Sequence, residues 1–91
     1  FRSDLLLAAV ASCVVLSVAF SARKRGVELQ RIDVTVGGNY SGPRFEDIEV
    51  TVLTDAPADV ADELMAAAQR VCYVTNTMRQ SPRITITHRA D

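Results

Sequence analysis

From Leu5 to Ala22 every residue is apolar or small, with Ser12, Cys13, Ser17 and Ser21 the only polar or sulfur-bearing interruptions. No Gly or Pro occurs between Asp4 and Arg25, so nothing in that stretch breaks a helix. Asp4 suits the positive end of a helix dipole, and Arg23, Lys24 and Arg25 suit the negative end. Gly26 stands where a left-handed C-terminal cap is needed. The segment therefore predicts one helix of about 20 residues, roughly 30 Å long. A surface helix needs one apolar stripe, whereas this one is apolar on all sides and must be buried all round or lie in lipid. A single small sheet covers only one of its sides. The rest calls for a second copy, a further segment of chain, or a membrane.

A membrane span has the length and the cationic flank in its favour. Against it, the segment is rich in alanine and serine, and an αβ pattern follows at once. A lipoprotein signal is disfavoured because the residues after Cys13 stay apolar and the cations follow the apolar run. The expectation is a cytoplasmic protein with no membrane contact.

After Gly26 the period changes. Ile32, Val34 and Val36 alternate with Asp33 and Thr35, and Ile48, Val50 and Val52 alternate with Glu49 and Thr51. These read as two strands of an antiparallel hairpin, joined by a turn-rich loop from Gly37 to Pro43. Thr54-Asp55-Ala56-Pro57 has the form of a helix start, with a capping side chain before a proline. Val60, Leu64, Ala68 and Val71 then recur at helical spacing opposite Asp59, Asp62, Glu63, Gln69 and Arg70. Residues 73–79 suggest a short helix, and Ser81-Pro82 ends it. Ile84 and Ile86, alternating with Thr85 and Thr87, predict a final strand. The fold class is α+β in the order α-β-β-α-β: a long buried central helix, a small mainly antiparallel sheet and a second amphipathic helix. At 91 residues the chain is one domain, spanning 1–91.

Composition excludes several functions. The net charge of −1 shows no basic stripe of the kind a nucleic-acid binder carries. Two cysteines are too few for a secreted disulfide scaffold. With one histidine and no Cys-x-x-Cys, a structural zinc site is excluded, and because that histidine, His88, lies in the C-terminal tail no Ser/His/Asp triad is expected. The glycines of 37–42 lack the phosphate-loop pattern. Arg79 and Arg83 read as surface charges.

The two cysteines are the remaining chemistry. Cysteine packs as a small hydrophobe, and Cys13 lies mid-helix among Ala9, Val10, Leu16 and Ser17, none of which offers a thiolate a cation. On the local sequence alone an inert thiol and a reactive one both stay open.

Asp4-Leu5-Leu6-Leu7-Ala8-Ala9-Val10-Ala11-Ser12-Cys13 resembles the central-helix motif of the OsmC/Ohr family, the osmotically inducible and organic hydroperoxide resistance proteins. Val71-Cys72-Tyr73-Val74-Thr75-Asn76-Thr77 resembles the family's second motif, a cysteine at a helix end followed by a short polar segment. The element order between them fits, and the resemblance covers essentially the whole chain. It implies an intertwined homodimer with its central helices packed together, which would bury the first helix. It implies a thiol peroxidase in which Cys13 is oxidised by an organic hydroperoxide and Cys72 resolves it to a disulfide, later opened by a dithiol reductant. No metal or organic cofactor is required.

Asp4 and Asn76 are the supporting candidates. Asp4 either holds a partner arginine or favours the helix N-terminus, and Asn76, with Tyr73, either lines the resolving-cysteine loop or packs. The family usually places strands before the central helix, and its best-studied peroxidase branch draws a thiolate-stabilising arginine from one of them. The expectation is a domain that lacks those strands, and Arg2 is the only cation upstream of Cys13 in the sequence. The alternative is a non-catalytic dimer of the same fold that binds a small apolar ligand or is purely structural.

Overall fold

The first helix, α1, runs Arg2–Lys24 in the computed structural model, which describes residues 2–80 and 82–89. It ends as its sequence requires. Gly26 takes φ +70°, the Val27 N–H reaches the Ala22 carbonyl at 2.9 Å and the Gly26 N–H reaches that of Arg23 at 3.1 Å. These are the two bonds of a Schellman cap, which satisfy carbonyls the helix would otherwise leave unpaired. The strands β1 (Ile32–Ser41) and β2 (Arg44–Thr54) follow, then the helices α2 (Ala58–Val71) and α3 (Tyr73–Arg79).

The hairpin is longer and its turn tighter than the glycine pattern suggests. The ladder pairs Ile32 with Thr54 and continues through Val36 opposite Val50 and Gly38 opposite Ile48 to Ser41 opposite Arg44. A bulge at Asn39/Tyr40 is its one irregularity. Only Gly42 and Pro43 turn the chain. Gly42 at φ +62° before a proline of fixed negative φ matches the sign pattern of a type II′ hairpin turn. Residues 37–41, expected to be loop, stay in the ladder because cross-strand pairs hold them there. The Asn39 amide donates to Asp47 at 3.0 Å, and the rings of Tyr40 and Phe45 stack with centroids 4.7 Å apart. Gly38 is what lets Phe45 lie flat, since a Cβ there would meet the ring at 2.7 Å.

The start of α2 also differs from expectation. No side chain caps it; Pro57 occupies the cap position and its carbonyl accepts the Ala61 N–H at 2.8 Å. Asp55 instead reaches back to the start of β1, where its carboxylate accepts the N–H groups of Gln30 at 3.0 Å and Arg31 at 3.2 Å. Those bonds, Gln30's first, hold the Asp55 carboxyl below its ordinary value near 3.8. A lowered folded-state value stabilises the fold above the ordinary carboxylate range, and that contribution is lost as pH falls through the folded value. Thermal melts of the wild-type protein should therefore show a Tm that drops on acidification below about pH 4. Asp55→Asn should melt lower at neutral pH and lose part of that acid dependence.

The predicted final strand is absent among the described residues. Residues 82–89 are irregular, with Ile84 77 % and Ile86 94 % exposed. Their alternation is that of a strand, but a strand is made by its pairing, and residues 82–89 pair with neither β1 nor β2.

The core lies where α1 packs on β1 and on α2. Its fully buried side chains are Val10 and Val18 of α1 and Leu64 of α2. Arg25 donates to Glu63 at 3.2 Å and links the end of α1 to α2. Only one side of α1 is covered: Val10, Ser17, Val18, Ser21 and Ala22 are buried, whereas Leu5, Ala9, Ser12, Leu16 and Phe20 form an exposed stripe. By length and composition α1 could cross a membrane, so its alanines and serines do not bring it below the hydropathy of a spanning segment. The radius of gyration is 15.8 Å, against about 12 Å for a compact domain of this length. The protomer exposes 7220 Å², whereas a compact 9.9 kDa monomer would expose about 5,200 Å².

Candidate active site

Chain reversal after α2 brings the two cysteines together. Cys72 is at once the C-cap of α2 and the N-cap of α3, with extended φ and ψ of −79° and 103°. That break between two helices turns its side chain toward α1. The Cys72 thiol donates to Cys13 Sγ at 3.2 Å, and both cysteines are free. A disulfide bond is about 2.05 Å long, so closing the pair takes on the order of 1 Å of sulfur movement, which side-chain torsions can supply.

The two thiols sit in different surroundings. Cys72 is 2 % exposed and Cys13 is half-buried. Burial pushes the Cys72 thiol up, but hydrogen bonds outweigh it. The Thr75 hydroxyl and N–H, then Cys13, then Ser17 all favour the thiolate and hold Cys72 below its ordinary value of 9.0. Thr75 lies in the first turn of α3, where N–H groups point at whatever precedes the helix.

A cavity of about 410 Å³ opens beside Cys72. Val14, Val18, Ile48, Val52, Met65 and Ala68 make most of its wall apolar. Ser17, Gln69 and Thr75 are its neutral polar groups, and Arg79 is its one charged residue among the described residues. Cys72, Thr75 and Arg79 are spaced at i, i+3 and i+7, and all three line it. A larger open cleft of about 1180 Å³ adjoins it, sharing Ile48, Val50, Thr75 and Arg79.

The supporting candidates fall outside the pair. Asp4 is in the first turn of α1, nine residues and so about 13 Å along the axis from Cys13. Asn76 ties the helices: its amide donates to the Arg70 carbonyl at 3.2 Å, and its side-chain oxygen lies 3.5 Å from the Arg79 guanidinium. It acts on the geometry of α3 and on Arg79, not on a sulfur. Thr75, Ser17 and Arg79 were not legible as site residues. The signal was there in the helical spacing from Cys72 to Arg79 and from Cys13 to Ser17. It gains weight only once residues 73–79 are known to form a helix. Arg79, read from sequence as a surface charge, is exposed and also lines the cavity.

No curated protein matches the chain closely enough to be informative about its activity. The sequence profile of the OsmC-like protein family matches residues 3–87. That span contains both cysteine motifs, the hairpin between them and the helix that joins the thiols. The α-β-β-α arrangement agrees with it, and the chain belongs to the OsmC-like family.

Proposed function

We propose that the protein is a thiol-dependent peroxidase that reduces organic hydroperoxides, acting in the cytoplasm as a homodimer. The observation that carries this reading is the 3.2 Å approach of two free thiols from distant parts of the chain. The apolar cavity beside them supports a substrate with a hydrocarbon group.

Cys13 thiolate attacks the terminal oxygen of R–O–OH. An S–O bond forms, the O–O bond breaks, and the alkoxide leaves and takes a proton to become the alcohol. Cys13 is now a sulfenic acid. Cys72, whose surroundings favour its thiolate, attacks the Cys13 sulfur and expels hydroxide, which leaves as water after taking a proton. The product is a Cys13–Cys72 disulfide, and a dithiol reductant returns the two electrons. Arg79, the one charged group on the cavity wall among the described residues, offers positive charge where an oxyanion develops.

The homodimer reading rests on the uncovered side of α1. An excess of roughly 2,000 Å² over a compact monomer is in the range that each protomer of an obligate homodimer buries.

Reduced protein treated with cumene hydroperoxide and mapped by mass spectrometry should contain a Cys13–Cys72 disulfide. Cys13→Ser should abolish it, and Cys72→Ser should leave a sulfenic acid at Cys13. A folded protein whose thiols both stay reduced would sink the proposal.

A further inference from the structure

Two thiols held 3.2 Å apart can close on a third atom as well as on each other. The span selects the atom. With sulfur bonds of about 2.3 Å, as in zinc thiolates, a linear centre needs its two sulfurs about 4.6 Å apart, a tetrahedral one about 3.8 Å, and a pyramidal one with near-right angles about 3.3 Å. Only the last matches the pair as it stands. The donor count agrees. A structural metal ion takes about four ligands, and among the described residues no group of three or more Cys, His, Asp or Glu side chains could hold one. Trivalent arsenic that already carries one carbon substituent is pyramidal and has two valences left, one for each sulfur. Its bonds to sulfur are covalent and the adduct is neutral. Burial of Cys72, which is 2 % exposed, therefore does not penalise the adduct as it would a bound charge. The carbon substituent also has a place to go. The cavity of about 410 Å³ beside Cys72 is walled mainly by apolar side chains, among them Val14, next to Cys13 in the chain, and an apolar cavity of about 150 Å³ is enough for benzene.

We infer that Cys13 and Cys72 form a two-point binding site for monosubstituted trivalent arsenicals, with the hydrocarbon group in the cavity. The site needs the paired thiols and not peroxide reduction. Phenylarsine oxide, hydrated to its dihydroxide, reacts in two like steps. In each, a thiol S–H bond and an As–OH bond break, an As–S bond forms, and the proton and hydroxide leave as water. Neither arsenic nor sulfur changes oxidation state, so no oxidant or reductant is consumed. The fold supplies the chelate. The two cysteines are 59 positions apart in sequence, and closing so long a loop costs an unfolded chain entropy.

Reduced protein is mixed with one equivalent of phenylarsine oxide and no hydroperoxide, so failure of peroxide reduction and failure of this inference read out separately. Intact-mass spectrometry should show one phenylarsenic gained and two hydrogens lost, and thiol titration should find neither cysteine free. Excess glutathione, a monothiol, should leave the adduct in place, and 2,3-dimercaptopropanol should remove it. Cys13→Ser and Cys72→Ser, each with a single thiol, should bind about a hundredfold more weakly or worse. Wild type in urea gives a second measure that does not depend on the variants folding: there the adduct should become labile to glutathione. Arsenite, which has a hydroxyl where the phenyl ring stands, should bind the folded wild type about tenfold more weakly or worse. An adduct that leaves one thiol free, that glutathione strips from folded protein, that resists glutathione equally in urea, or that forms as tightly in Cys13→Ser would overturn the inference. So would arsenite held as tightly as phenylarsine oxide.

Discussion

Leu64→Ala is expected to cost about 2–5 kcal/mol of stability and to leave little folded protein at 37 °C. Leu64 is fully buried, and its fully buried companions are the two valines of the facing helix. The contact between α1 and α2 thus has few side chains sealed completely from water. Removing three side-chain carbons there forfeits their transfer free energy and leaves a cavity that its neighbours fill only in part. A small domain has only about 5–15 kcal/mol to lose, and this one covers α1 on one side only. The site would be lost with the fold, because α2 delivers Cys72 to Cys13. Urea unfolding measures the effect. With a slope of about 1 kcal/mol/M for a protein this small, the midpoint should fall by about 2 M or more. Leu64→Met, which conserves volume, should cost under about 1.5 kcal/mol. An unchanged midpoint in Leu64→Ala would mean that the packing of α1 on α2 is not what stabilises the fold.

Legibility from sequence followed how local the deciding physics was. α1 was readable to within a few residues because its ends are marked by Asp4, the Arg23–Arg25 cations and Gly26, all acting within one turn. The alternation in β1 and β2 was equally plain. Gly37, Gly38 and Asn39 misled because their glycines signal a turn, whereas the ring of Phe45 and the carboxylate of Asp47 hold them in the ladder from the opposite strand. Asp55 looked like a helix cap and bonds instead to a segment 24 and 25 residues earlier. Ile84 and Ile86 carry a strand's pattern but pair with neither strand of the sheet, and pairing is not readable from a short segment alone. At the site, the residue types of Cys13 and Cys72 left an inert thiol open. Family resemblance supplied the pairing, and the 3.2 Å contact gives it geometry. Thr75 and Arg79 acquire meaning only through α3, whose seven residues hold too few apolar positions to show a period.

Leu16→Glu is expected to convert a dimer into a monomer of 9.9 kDa. Leu16 is 67 % exposed in the stripe Leu5, Ala9, Ser12, Leu16 and Phe20, which recurs every three or four residues along α1. Ala9 and Ser12, small residues at its middle, allow a second α1 to approach closely, and helix axes pack about 8–10 Å apart. In a two-fold dimer the same stripe serves both protomers, so one substitution places two carboxylates in the interface. Each would be desolvated without a partner, at a cost of several kcal/mol per ion. Sedimentation at micromolar concentration in plain buffer should give the dimer mass for wild type and the monomer mass for Leu16→Glu. Ser12→Ala, which keeps the surface small and apolar, should stay dimeric. A wild-type protein that is monomeric under those conditions would refute the homodimer, and one that dissolves only in detergent would assign the uncovered side of α1 to lipid. The thiols sense this contact as well. Cys13 follows Ser12 by one residue and stands about 100° round the helix from it, at the margin of the stripe. The second protomer would therefore narrow the open flank of Cys13 without covering the cavity beside Cys72. Dimerisation and access to the attacked sulfur are then set by the same face of α1, and Leu16→Glu should raise the rate at which iodoacetamide reaches Cys13 in native protein.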